Sequence, residues 1–281
     1  MRTFKWLTAA LAAAVLFAVP GEAETDSAQA GETVRLPIVM YHDITKNEKS
    51  CGPYVVSLAE FEADLRWLRG HGYETVSVQN LLDWEAGTFT MPEKPCMITL
   101  DDGACSTAAY AEPLLAQYGF CGVSAVIGAV CEEFSANGEQ DAELSNLSWE
   151  AVREMAERGT IEVVCHSWNM HAQWPRKGCS RKKGESDGEY RHALSEDLGR
   201  FLGACEAHGV ALSPAIAWPY GAYSRASTQT ARDLGALAAF TCDETVNTLT
   251  HADGELLHLG RFNRPHGAAG EKIFQIWEET S

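Results

Sequence analysis

Cys96-Met97-Ile98-Thr99-Leu100-Asp101-Asp102-Gly103 reads as a buried strand that stops abruptly in two adjacent acids and a glycine. An apolar run of this length, closed by a turn residue, delivers two carboxylates to the edge of a core. Such strand ends carry the sites of α/β folds. On its own the stretch reads first as an Asp-Gly turn closing an ordinary strand, so its meaning depends on what the neighbouring strands bring to the same edge.

They bring polar groups repeatedly. Val34 to Tyr41 is a first strand running into His42-Asp43. Gly122 to Ile127 and Thr160 to Cys165 are further strands, the latter followed by His166. Ser213 to Trp218 ends in Pro219-Tyr220-Gly221, Ala236 to Thr241 follows, and Leu256 to Phe262 is a last strand. Helical segments lie between them. Ser57-Leu58-Ala59-Glu60 has capping-box form, with Leu58, Phe61, Leu65 and Leu68 on one face. Val78–Trp84, Thr107–Tyr118, a helix from Ser148 to Arg158, Glu189–His208, Arg225–Leu234 and Gly270–Trp277 complete the set, with Val130–Asn146 an acidic loop. Alternating strands and helices predict parallel strands with helices outside, as a barrel or a doubly wound sheet. In a barrel, His42, Asp101, Asp102, His166 and Tyr220 converge on one face.

His166 and His171 are five residues apart. On a regular helix they would diverge by about 140°. From a strand end and its loop they can reach one ion. Two histidines and an aspartate make a three-ligand set with open positions, the form that catalytic zinc takes.

These motifs resemble the polysaccharide deacetylase family (carbohydrate esterase family 4, NodB-like domain), over about Leu36 to Trp277. The family's T-F-D-D-G is Thr99-Leu100-Asp101-Asp102-Gly103. Its H-[ST]-x-x-H appears with one extra residue as His166-Ser167-(x3)-His171, a spacing similar to the branch that deacetylates poly-N-acetylglucosamine. The resemblance implies a distorted (β/α) barrel of about seven parallel strands in a single domain spanning 34–281. It implies Asp102, His166 and His171 as ligands of a divalent metal, Zn²⁺ first, with Co²⁺, Mn²⁺ or Fe²⁺ suiting the same donors. It also implies Asp101 as general base and the backbone N–H near Tyr220 as oxyanion donor. The third motif, R-x-P-[FWY]-G, is Ala217-Trp218-Pro219-Tyr220-Gly221, so the arginine that contacts the base in the family is absent. The general acid is His42, by likeness to the Tyr-His pair of the longer-spacing branch, with His258 of Leu256-Leu257-His258 as the alternative. Leu257 to Arg264 looks like that branch's strand ending in Arg-x-Asn. Trp168, Trp218 and Tyr220 are candidate sugar-binding aromatics, as are Trp174 and Tyr223. His71, His192, His208, His251 and His266 have no comparable context and read as surface or loop residues.

The expected reaction is metal-dependent removal of N-acetyl groups from an N-acetylglucosamine polymer of the cell envelope or its surroundings. The alternatives are an O-acetyl esterase of the xylan type and a carbohydrate-binding member that has lost catalysis. A two-His-one-carboxylate oxygenase leaves the paired aspartates unexplained. With 39 acidic against 22 basic residues, a net charge of −17 excludes nucleic acid as a natural partner. Residues 1–23 have the charged start, apolar run and small-x-small site of a cleavable export signal, and 24–33 read as a linker. The expected product is an exported monomer with no membrane span in its mature part. Its nine cysteines show no CxxC pattern, and an odd number cannot pair completely.

Overall fold

A computed structural model describes residues 33–138 and 140–279; the export signal and all but the last residue of the linker lie outside them. Seven parallel strands form the curled path of the central sheet, β1 (Ile38–Tyr41), β2 (Pro95–Leu100), β3 (Gly122–Val126), β4 (Ile161–Cys165), β5 (Leu212–Ala217), β6 (Ala238–Phe240) and β7 (Phe262–Asn263), and an eighth, Glu74–Thr75, pairs parallel with the start of β2 off that path. Their order in space is β6-β5-β4-β3-β2-β1-β7. The helices are α1 (Leu58–Gly70), α2 (Val78–Glu85), α3 (Glu112–Tyr118), α4 (Gly128–Asn137), α5 (Trp149–Arg158), α6 (Asp187–His208), α7 (Arg225–Asp233) and α8 (Ala268–Glu279).

Strand side chains alternate between two cores, as a pleat requires. Val39, Tyr41, Ile98 and Leu100 face outward against Phe61, Leu65 and Leu68 of α1, Leu115 of α3 and the inner faces of α5 and α6. Ile38, Met97, Val123, Ala125, Val164, Ala215, Ala217 and Phe240 face the other way. That inner core is plugged by Val78, Leu81 and Trp84 of α2, together with Val34 and Leu36. Small alanines on β5 and β6 leave room for the plug.

One stretch after β6 joins the two sheet edges. Leu259 pairs with β6, donating to Ala239 O and accepting from Thr241 N–H. Three residues later Phe262 and Asn263 pair with Val39 and Met40 of β1. The sheet is thereby curled into the expected distorted barrel.

Several elements differ from the sequence reading. The first strand is two, because Pro37 has no N–H to donate and separates Val34–Leu36 from β1. Val34–Leu36 pairs antiparallel with Asn247–Leu249. The supposed loop Val130–Asn146 opens with α4, which has no side-chain N-cap to announce it. Within the supposed last strand, Glu255–His258 is a 3₁₀ turn and only Phe262–Asn263 is strand.

Candidate active site

His42, Asp101, Asp102, His166 and Trp218 with Tyr220 sit where parallel strands end, and His171 and Trp168 on the loop that follows β4. Asp101 extends β2 by one residue, its N–H donating to Tyr41 O at 2.9 Å. Asp102 and Gly103 then both take left-handed backbone, φ 70° and 73°, which turns the chain sharply away. Two adjacent carboxylates are thus sent in different directions. By strand alternation Asp101 continues the inner face of Met97 and Thr99, while Asp102 faces the open end. Tyr220 (φ 58°) and Ser167 (φ 70°) are also left-handed. Backbone strain of this kind clusters at sites that need it.

Asp102 meets both histidines. His166 Nε2 lies 3.3 Å and His171 Nε2 3.1 Å from Asp102 Oδ1. Neither contact makes a hydrogen bond, and Oδ1, though buried, has no hydrogen-bond partner. An orphaned buried carboxylate oxygen is costly. Facing two imidazole nitrogens, it is the arrangement a divalent cation satisfies, and the ligand atoms of the three residues lie within 4.8 Å of one another. The donor set fits a catalytic metal site. His166 Nδ1 donates to Ala217 O at 2.8 Å, which fixes the tautomer that presents Nε2. Burial would raise the Asp102 carboxyl, but the imidazoles hold it well below the usual carboxylate range. Burial would lower His166, yet Asp101 and Asp102 raise it.

The loop between the histidines is held from behind. Asp197 of α6 accepts the N–H of Trp168 at 2.8 Å and of Asn169 at 2.9 Å. Ser167 Oγ accepts from Met170 N at 3.0 Å. Gly178, further along the same loop, presses on the turn of the third motif. A Cβ there would stand 2.4 Å from Pro219 O, and its φ of 51° suits glycine.

The missing motif arginine is replaced from elsewhere in the chain. Arg261, in the closing stretch before β7, makes a bidentate pair with Asp101 at 2.7 and 2.9 Å. It also donates to Thr99 Oγ1 at 3.1 Å and, from Nε, to Thr241 O at 2.9 Å. Arg261 is fully buried and Asp101 is 2% exposed. Burial alone would raise the Asp101 carboxyl; the guanidinium outweighs it, with help from His166 and His42, and holds the group below its ordinary value. Sequence reading noted Arg261 only as part of an Arg-x-Asn segment. The signal for its role was the inward parity of Asp101, which demands a buried cation.

His42 and His258 separate clearly. His42 follows β1 and lines the cleft, its Nδ1 buried without a hydrogen-bond partner and its ring 4.9 Å edge-on from Tyr54. Burial lowers its pKa, against the pull of Asp101 and Asp102. His258 is exposed on the 3₁₀ turn, beside Tyr223, and does not line the cleft.

The cleft has a volume of about 600 Å³. Besides the groups above it is walled by Tyr54, Gln173, Lys177, Tyr220, Cys242, Glu244 and Asn263. Tyr220 packs on His171, ring centroids 4.6 Å apart, and its hydroxyl donates to His171 O at 3.2 Å. Two predicted sugar-binding aromatics are misplaced. Trp218 is fully buried, and Trp168 is 7% exposed, lying against Gly128 with Arg200 over its ring at 4.2 Å. Neither lines the cleft; both are packing residues of the outer core, Trp218 by the strand parity it shares with Ile216 and Trp168 by the turn of its loop onto Gly128. Tyr54, a cleft-lining residue that is 59% exposed, was missed because it lies in a polar loop without periodicity.

Known proteins resemble this chain in sequence and fold. The family model described as "Polysaccharide deacetylase" matches residues 89–239, which hold Asp101, Asp102, His166, His171 and Tyr220 but neither His42 nor Arg261. Poly-beta-1,6-N-acetyl-D-glucosamine N-deacetylase of Escherichia coli (strain K12) is 24% identical over 207 residues, 66% of this chain and 31% of that protein. The chain therefore spans about a third of the length of this relative. Among solved structures, a de-N-acetylase from Aggregatibacter actinomycetemcomitans has a TM-score of 0.71 at 22% identity, covering 86% of this chain and 100% of that one. IcaB from Ammonifex degensii has a TM-score of 0.69 at 24% identity, covering 86% and 96%. These two establish the fold. With more than half of its length matched by the family model, including both acidic and histidine motifs, the chain belongs to the polysaccharide deacetylase family.

Proposed function

We propose that this chain hydrolyses N-acetyl groups of an N-acetylglucosamine polymer outside the cytoplasm, in the manner suggested by its Escherichia coli relative's poly-β-1,6-linked substrate. The observation that carries the reading is the orphaned Asp102 Oδ1 facing His166 and His171, with a separately tethered Asp101 beside it.

Asp102, His166 and His171 would hold the metal, zinc being the first choice. A divalent cation there supplies the positive charge that polarises an acetyl carbonyl and acidifies water. Asp101 takes the proton from the attacking water. Its ion pair with Arg261 keeps it ionised and fixes its direction, and a group already bound to the metal could not do this. The backbone N–H at Tyr220 donates to the oxyanion, a contact whose loss typically costs about 100- to 1000-fold. His42, whose protonated form burial disfavours and the adjacent Asp101 and Asp102 favour, acts as imidazolium: it gives its proton to the leaving nitrogen and regains one from the proton that Asp101 took from water. The C–N bond breaks, and acetate and a free amine leave. Tyr54 and Tyr220, both lining the cleft, supply aromatic surface for the sugar. Export through residues 1–23 would place the enzyme with its substrate.

The test is acetate release from poly-β-1,6-N-acetylglucosamine oligomers, with O-acetyl xylan as the competing substrate. Turnover of the oligomers that is lost on chelation and restored by Zn²⁺ or Co²⁺ supports the reading. Turnover of the xylan ester alone would replace it.

A further inference from the structure

A second cluster of ligand chemistry lies outside the cleft. Cys51 comes from the loop that carries Tyr54, Glu60 from the first turn of α1, and His266 from the segment after β7. Their ligand atoms all lie within 4.8 Å of one another. His266 is the exposed loop residue that the sequence suggests, but its Nδ1 sits 2.8 Å from Glu60 Oε2.

The cradle is assembled from three distant segments. His266 N–H donates to Gly52 O at 3.0 Å. Gly267 N–H donates to Glu60 Oε1 at 2.6 Å and Ser57 N–H to Glu60 Oε2 at 2.8 Å. Asn263 Nδ2 donates to Pro53 O at 3.0 Å. Nearby charge is mixed. Glu48 adds negative charge facing Cys51. Arg264 lies 4.0 Å from Glu60, but its guanidinium is already committed to Asp64 at 2.7 and 3.0 Å.

The donor types select the ion. Calcium and magnesium take oxygen ligands, whereas a thiolate with an imidazole and a carboxylate suits zinc or another borderline-soft ion. Binding would form a sulfur–metal bond and release the thiol proton to solvent, since the thiolate is the ligand. We infer that Cys51, Glu60 and His266 form a second, thiolate-containing site for a divalent cation such as Zn²⁺. Such an ion clips the Tyr54 wall of the cleft to α1 and to the segment that carries Asn263. The inference does not depend on the deacetylation reading.

Cobalt titration of the full chain tests it, because the cleft's Asp102, His166 and His171 contain no sulfur. A thiolate-to-cobalt charge-transfer band in the near ultraviolet should saturate at one ion per chain. It should vanish in Cys51→Ser and need about tenfold or more cobalt in His266→Ala. No such band in the unmodified protein, or a band that persists in Cys51→Ser, overturns the site. If neither variant folds, alkylation of the unmodified chain decides. Zinc should slow iodoacetamide labelling of Cys51 at least about tenfold, and an unchanged rate overturns the site.

Discussion

At the scale of single residues, the division of labour between Asp101 and Asp102 rests on the left-handed turn that starts at Asp102. Asp101→Asn should retain metal, measured by elemental analysis, while deacetylation falls by orders of magnitude. It should also cost stability, since Arg261 would be left buried without its anion; breaking a buried pair typically costs about 3–5 kcal/mol. Arg261→Met gives the complementary outcome. In the unaltered protein the Asp101 carboxyl is depressed against burial, so it stays ionised well below neutrality. The stability it contributes is present above the ordinary aspartate pKa and is lost as pH falls through the lower folded value. Without Arg261, burial is opposed only by His166 and His42, and the carboxyl rises. The acidic limb of the kcat/KM profile should therefore move to higher pH in Arg261→Met, with a lower plateau. A limb in the same place would remove Asp101 from the role of base. The two aspartates and two histidines were legible in the sequence because motif and strand end coincide. Arg261 was not, because its partner is 160 positions away and no local pattern links them.

At the scale of elements, the loop from Ser167 to Ser186 is the part of the site that sequence describes least well. The backbone between the histidines is held by Asp197, a residue of α6 that receives two consecutive backbone N–H groups. Helical periodicity marks α6 clearly but gives Asp197 no special place. Asp197→Ala should leave those N–H groups unpaired and loosen His171. Metal affinity, read by competition with a chromophoric chelator, is expected to fall about 10- to 100-fold, the usual effect of removing an outer support. His166 should hold its place, because its own anchor is Ala217 O. The capped helices α1 and α5 were readable from Ser57 and Ser148. Helix α4 was not, since Ile127 offers no capping side chain. Trp168 misled for a related reason: its ring is taken up by Gly128 at the start of α4, an element that the sequence reading did not contain.

At the scale of the whole molecule, alternation of strands and helices was enough to give parallel strands and a converging face. How the sheet closes was not readable, because the closing stretch from Leu259 to Arg264 is too short and too polar to show a period. That stretch performs two tasks. Arg261 turns inward to Asp101, and Arg264 turns outward to a buried pair with Asp64 of α1, to which Tyr41 of β1 also donates at 2.8 Å. The closure, the first strand and the first helix thus share one carboxylate. Asp64→Ala should destabilise the fold by about 3–5 kcal/mol, because it strands a guanidinium that is 2% exposed. The measurement is the midpoint of urea unfolding at neutral pH. Asp64→Leu combined with Arg264→Met should recover most of the loss, since an apolar pair of similar volume removes the unpaired charge. Equal loss in the single and double variants would mean that the contact's shape, not its charge, holds the barrel shut. Saturating zinc separates this damage from damage to the site. At about 100 times its dissociation constant, a ligand that binds only the folded state adds about 2.7 kcal/mol. That increment should survive Asp64→Ala; in Asp102→Ala the cleft triad's share should be lost, leaving only the share from the Cys51 site, which Cys51→Ser then removes.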